Sequence, residues 1–271
     1  MKMSNVLRAL RDDGVVSVAR RVSSAALPRE ALRRLGVLEF VDGRLGLEIG
    51  GPSQAFGRLG VVPVYLAADR IDNCNFAATT LWEGQIAEGR TFRFSARRPP
   101  GEQFIAEATG LDRVASGAYD FLLSSHAIEH CANPLKALAE WSRVLKPGGF
   151  LVLIVPHRDG AFDHRRPLST LAHLVDDYER GVGEDDLTHL DEIIRLHDLS
   201  RDPGADDAES FRARALGNAD NRSLHHHVFD TALARAMVER AGFEVLRAER
   251  PTRMDIFILA RTSHGNAGRS Q

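Results

Sequence analysis

The stretch Glu48-Ile49-Gly50-Gly51-Pro52-Ser53 sets an acid, two glycines and a hydroxyl directly after the apolar run Leu45–Ile49. Paired glycines after a strand let the backbone approach a ligand closely, and an acid at the end of the next strand receives ribose hydroxyls. Asp69 closes a second apolar run, Val61–Ala68, and Asp72 is the alternative for the same role. No third glycine follows at dinucleotide spacing. The chemistry indicated is that of a smaller nucleoside cofactor, not of a pyrophosphate on a helix N-terminus. Two further sets of residues carry chemistry. Ser124-Ser125-His126 ends a strand-like run, where polar side chains are better explained by a site than by packing. Asp163-His164, Glu184-Asp185-Asp186, His189 and His225-His226-His227 are all ligand-capable, and Asp185 and His189 lie one helical turn apart. Asp163, Glu184, Asp185 and His189 are the candidate ligands for Mg²⁺. The competing reading has the histidines stacking and hydrogen-bonding among themselves. Zinc is disfavoured, because no HExxH occurs and Cys74 and Cys131 have no neighbouring ligands.

The elements that must position these residues alternate. Strands are expected at about 45–49, 63–68, 103–106, 119–124 and 150–155, with a helix from Pro134 to Val144 ended by Lys146-Pro147-Gly148-Gly149. Alternating strands and helices signify a parallel sheet with crossover helices. Residues 157–227 break the alternation. They hold eight of the eleven histidines, and residues 158–227 carry sixteen acids against nine arginines. So long a segment, helical around Leu187–Leu199, reads as an inserted lid over the acceptor. A helix at Thr231–Ala241 and strands at Phe243–Ala248 and Asp255–Ala260 then complete the sheet, the last strand antiparallel. The division expected is an N-terminal helical segment (1–40), a core (41–156 and 228–262), the lid (157–227) and a disordered tail (263–271).

Composition narrows the function classes. A 271-residue chain with 44% hydrophobic residues suffices for one large packed domain. A net charge of -2 gives no general case for nucleic acid. Two isolated cysteines imply no disulfide framework. Neither a secretory leader nor an apolar span of membrane length is apparent, so a cytoplasmic protein without stable membrane insertion is expected. Residues 1–40 hold eight Lys/Arg against four acids, on amphipathic turns that would pack on the core or on a second copy in a homodimer.

Taken together, these motifs resemble the class I S-adenosylmethionine-dependent methyltransferases over about residues 44–156 and 224–260. The resemblance rests on Leu47-Glu48-Ile49-Gly50-Gly51, on Asp69, on Tyr119-Asp120-Phe121-Leu122-Leu123-Ser124-Ser125-His126-Ala127-Ile128-Glu129-His130, on Arg143-Val144-Leu145-Lys146-Pro147-Gly148-Gly149 and on Ala241-Gly242-Phe243-Glu244-Val245. It implies an α/β, Rossmann-like, seven-stranded, mostly parallel sheet with helices on both faces, an antiparallel last strand and a lid insertion. It implies S-adenosylmethionine held by Glu48, Gly50, Gly51, Ser53, Asp69, Glu107, Ala108, Ser124 and Ser125. The insertion further resembles proteins linked to sugar and polysaccharide biosynthesis, which implies O-methylation of a sugar, oligosaccharide or polyhydroxylated metabolite. A hydroxyl acceptor needs a base, for which His157, His126 and His164 are the candidates, or a Mg²⁺ to orient it. One departure stands out: the family's turn runs acid-x-Gly-x-Gly-x-Gly, and Pro52 and Gln54 occupy its second and third glycine positions. Pro52 has no N–H to offer a carboxylate. The alternatives are therefore a scaffold that kept the fold without the chemistry, and a metal-dependent hydrolase built on the histidine-rich insertion.

Overall fold

A computed structural model describes residues 28–96, 98–202, 204–205 and 207–263. Most of the expected basic N-terminal segment, residues 1–27, and the tail 264–271 lie outside the described residues. The described part of the segment forms two short helices, α1 (Pro28–Leu35) and α2 (Leu38–Val41).

Eight strands form one sheet: β1 (Leu45–Ile49), β2 (Arg70–Asn75), β5 (Gly89–Phe92), β6 (Gly101–Ile105), β7 (Tyr119–Ser125), β8 (Leu145–Pro156), β9 (Phe243–Glu249) and β10 (Asp255–Thr262). Two-residue strands β3 (Thr79–Thr80) and β4 (Gly84–Gln85) pair separately as a hairpin. The sheet order is β5-β6-β2-β1-β7-β8-β10-β9. The β6-β2-β1-β7-β8 run is parallel, and β10 is antiparallel to both β8 and β9. The eighth strand is β5, an antiparallel edge strand on β6. Chain order reverses between β1 and β7, and open α/β sheets bind ligands at the carboxyl ends of strands beside such a switch.

Apolar side chains cover both faces. One face packs against α3 (Pro134–Val144) and α8 (Thr231–Arg240), with Trp141 fully buried. Asn133 caps α3 by accepting from Lys136 N at 3.0 Å, and Asp230 caps α8 from Leu233 N at 2.7 Å. The other face packs on α1, α2 and the connection after β1. That connection departs from expectation. Between β1 and β2 there is no α-helix, only 3-10 turns at Gln54–Phe56 and Val64–Leu66. The apolar run 61–68 is not the second strand; Val62, Val64, Tyr65, Ala67 and Ala68 are buried beneath the sheet as irregular chain. The strand is the polar sequence Arg70-Ile71-Asp72-Asn73-Cys74-Asn75, which follows that run.

The insertion contributes α4 (Leu171–Arg180), α5 (Leu190–Leu196), α6 (Ala208–Leu216) and α7 (Asn218–Asn221). The helix expected over 187–199 is thus α5 followed by a 3-10 turn at Leu199–Arg201. Ile193, Phe211, Ala215 and Leu224 give the insertion a small apolar core of its own. Arg166, itself buried, ties the insertion to its own last residues before α8 by donating to the carbonyls of His225 (2.6 Å) and His226 (3.2 Å) and to Glu192 (2.8 Å).

Candidate active site

A cavity of about 760 Å³ opens at the carboxyl ends of β1, β2, β6 and β7. This is within the range of small-molecule sites, about 300–1,000 Å³. Its floor is Gly50 and Ser53 after β1, Asn75 and Phe76 at the end of β2, Glu107 and Ala108 after β6, and Ser125 and His126 at the end of β7. The β3–β4 hairpin adds Trp82 and Glu83, and the lid adds Phe162, Glu184, Arg222 and His225.

The turn after β1 is braced from below. Glu48 is fully buried and does not line the cavity. It accepts hydrogen bonds from Ser53 N (2.9 Å) and from the Tyr65 hydroxyl (2.7 Å), and burial pushes its carboxyl up to about 8. Asn73 clamps the turn sideways, accepting from Gly51 N at 2.9 Å and donating to Gly51 O at 3.1 Å. A Cβ on Gly51 would lie 2.3 Å from Glu48 Cδ, so the turn tolerates only glycine there. Gly50 takes φ +78° and passes Ala127 so closely that a Cβ would sit 3.2 Å from Ala127 Cβ. Its N–H is used by Cys74 O at 2.8 Å. Ser53 N is engaged by both Glu48 and Tyr65, and Pro52 has no donor.

Asp69 lies elsewhere. It precedes β2 at the amino edge of the sheet, exposed and 2.8 Å from Arg98. Because the strand starts one residue after Asp69, its carboxyl end carries Asn75. Asp72 is mid-strand and bonded to the Tyr119 hydroxyl (3.0 Å) and Glu102 N (2.8 Å). Asn75 belongs to a buried amide network in which its Oδ1 accepts from Asn73 and from Gln103 Nε2 (3.0 Å). Glu83 is the carboxylate that the hairpin brings to the same cavity. Ser124 is buried below the floor, and its Oγ has no partner among the described residues. Glu107 pairs with Arg222, and Ala108 O accepts from Trp141 Nε1 at 3.0 Å.

Of the three base candidates, His126 lines the cavity; His157 and His164 do not. His157 accepts from Asp159 N at 3.2 Å, and burial with Arg250 holds it below the usual imidazole range. His164 Nε2 is bound to Asp198 at 2.9 Å. His126 takes φ +51°, uncommon for a side-chain-bearing residue, which turns the chain sharply at the end of β7. Its Nε2 is 2.9 Å from Asp255 Oδ1, and Asp255 in turn accepts from Thr252 Oγ1 at 2.6 Å. Nδ1 then faces Glu129 Oε1 at 3.8 Å. Glu129 is fully buried, and neither of its oxygens has a hydrogen-bond partner among the described residues. Burial pushes its carboxyl up, and His130 Nε2 and His225 Nε2 each stand 3.9 Å from Oε1. Gaps of this width suit a bridging water or a ligand hydroxyl. Asp255 and Trp82 escaped the sequence reading, and Glu129 entered it with no assigned role. Only the Glu129-His130 pair within its motif gave a signal.

The Mg²⁺ candidates do not converge. Asp163 Oδ2 is 2.9 Å from His225 Nδ1, Glu184 accepts from Ala132 N at 3.1 Å, Asp185 is exposed, and His189 Nε2 meets His173 Nε2 at 2.9 Å. The three consecutive histidines point to three partners: His225 to Asp163, His226 to Asn218 (3.1 Å) and His227 to Asp177 (2.9 Å). No described helix is long and apolar enough to cross a membrane.

Comparison with known proteins gives the following. Residues 59–153 match the family model of a methyltransferase domain. No curated protein matches the chain. Similar solved structures include a SAM-dependent methyltransferase from Aquifex aeolicus, with 12% identity, coverage of 90% of this chain and 97% of that one, and a TM-score of 0.44. A putative methyltransferase from Bacillus halodurans has 13% identity, coverage of 86% and 99%, and a TM-score of 0.47. An S-adenosylmethionine-dependent methyltransferase from Mesorhizobium loti has 16% identity, coverage of 86% and 96%, and a TM-score of 0.46. The likeness to a methyltransferase domain thus covers residues 59–153.

Proposed function

From the match of residues 59–153 to a methyltransferase domain, we propose that this chain moves a methyl group from S-adenosylmethionine to an oxygen of a hydroxyl-rich small molecule, a sugar or similar metabolite. The observation that carries the reading is the His126–Asp255 pair lining the cavity, with His126 Nδ1 3.8 Å from the buried Glu129.

The residues present fit the cofactor. The turn after β1 lines the cavity through Gly50, Pro52 and Ser53, and Asn75 with Glu83 meets ribose hydroxyls where a carboxylate at the end of β2 would otherwise stand. Ala106–Ala108 border the base, and Ser125 faces the methionine end. When bound, S-adenosylmethionine supplies an electrophilic methyl group on a sulfonium. The chain's own part is to align the acceptor and take its proton, and alignment supplies much of the rate of such a displacement. In this reading Asp255 accepts the Nε2–H of His126 and so fixes the tautomer in which Nδ1 takes the acceptor's hydroxyl proton. The imidazolium so formed is stabilised by Asp255. Glu129, His130 and His225 give the remaining hydroxyls directional partners in a desolvated pocket.

Methyl transfer from labelled S-adenosylmethionine to a panel of sugars and polyols tests the reading. His126→Asn is expected to lower turnover by about 10²–10⁴-fold with cofactor affinity retained, and Asp255→Asn to shift the pH–rate profile. Label appearing only on amine acceptors, or a His126→Asn enzyme with wild-type turnover, contradicts it. The scaffold alternative draws on one observation, that the N–H groups of Gly50, Gly51 and Ser53 are all used within the protein. Absence of any cofactor binding would favour it.

A further inference from the structure

Four side chains of the insertion meet on the side of the lid that does not line the cavity. His173 and Asp177 are one turn apart on α4, His189 immediately precedes α5, and His227 stands on the segment leading to α8. Nε2 of His173 is 2.9 Å from Nε2 of His189 and 3.3 Å from Asp177 Oδ2. Asp177 Oδ2 is 2.9 Å from Nε2 of His227. The facing atoms of His173, Asp177 and His227 all lie within 4.8 Å of one another.

Hydrogen bonding alone satisfies this arrangement poorly. A neutral imidazole has a single N–H, so Nε2 of His173 cannot donate to both His189 and Asp177. One of the two facing Nε2 atoms must also be unprotonated. A tetrahedral ion with bonds of about 2.0–2.1 Å sets its ligand atoms about 3.3–3.4 Å apart, close to the spacings found here. A single ion accounts for the convergence of His173, Asp177 and His227, with His189 beside His173 to complete the set. Three imidazoles to one carboxylate is a donor set for zinc, whereas Mg²⁺ prefers oxygen.

We propose that His173, Asp177 and His227 form a structural zinc site, completed by His189 when the ion binds, that fastens lid helix α4 and the start of α5 to the segment entering α8. The site stands apart from methyl transfer and does not depend on that assignment. It would add stability to the folded chain because the unfolded chain does not preform the ligand set.

The test uses the full chain, free of any affinity tag, stripped with chelator and reloaded with Zn²⁺ or Co²⁺. The expected result is retention of one equivalent of metal. Co²⁺ should give the intense visible absorption of a tetrahedral nitrogen–oxygen site. Chelation should lower the melting temperature by at least about 4 °C. His189→Gln and His173→Gln should lose both the metal and the response to chelator. Wild-type protein that retains neither metal, or variants that retain it as well as wild type, would overturn the proposal. Retention by both variants would place the ion elsewhere. If His173→Gln does not fold, the wild-type Co²⁺ spectrum and His189→Gln decide the matter.

Discussion

Glu48 touches no part of the cavity, yet it shapes the turn that does. Its two oxygens hold Ser53 N and the Tyr65 hydroxyl, and its side chain fills the space that a Cβ on Gly51 would need. Burial makes the protonated carboxyl the favoured form up to about pH 8. The folded state therefore binds a proton that the unfolded chain releases near the ordinary glutamate value of about 4.3. Stability drawn from this proton is present at low pH and is lost as pH rises through 8. Measured against Glu48→Gln, which cannot titrate, the wild-type melting temperature should fall progressively between pH 5 and pH 8. A constant difference across that range would mean that Glu48 is ionised throughout. The sequence showed that an acid, two glycines and a serine belong together. It did not show that the acid lies beneath the turn, because that depends on Tyr65, which arrives from the misread run 61–68.

At the scale of elements, apolar runs marked β1, β7, β8 and α3 plainly, since each is buried by apolar neighbours. β2 carried no such mark. Asn73, Asn75 and Gln103 bury amides that satisfy one another, and the buried Asp72 is met by Glu102 N and Tyr119, so the strand looks like a loop in sequence. The apolar run before it is buried without being a strand, an ambiguity that periodicity cannot resolve. One misplaced strand put the end of the second strand near Asp69, whereas β2 ends at Asn75, which lines the cavity. The lid was legible as an insertion but not as a set of partners. Arg166 is its internal tie, reaching across about sixty residues of sequence to His225 and His226. Arg166→Ala leaves two buried carbonyls unpaired and should cost about 2–4 kcal/mol. Hydrogen exchange should accelerate across 157–227 and leave β7 and β8 protected. Uniform acceleration of sheet and lid alike would mean that the two unfold as one unit.

Across the whole molecule, the sheet forms the cavity floor beside its switch point and the insertion adds Phe162, Glu184, Arg222 and His225 to the walls. The family match, residues 59–153, ends before the insertion. The cofactor side of the reading therefore rests on the matched core, and the acceptor side rests on His126, Glu129, His225 and Asp255 as the structure arranges them. The most direct measurement is titration of the chain with S-adenosylhomocysteine, followed by calorimetry and by fluorescence of Trp82 at the cavity mouth. The account predicts saturable micromolar binding by wild type and by Asp69→Ala, and binding weakened about ten-fold, about 1.4 kcal/mol, in Asn75→Ala. No binding by wild type, or binding abolished by Asp69→Ala and untouched by Asn75→Ala, would contradict it.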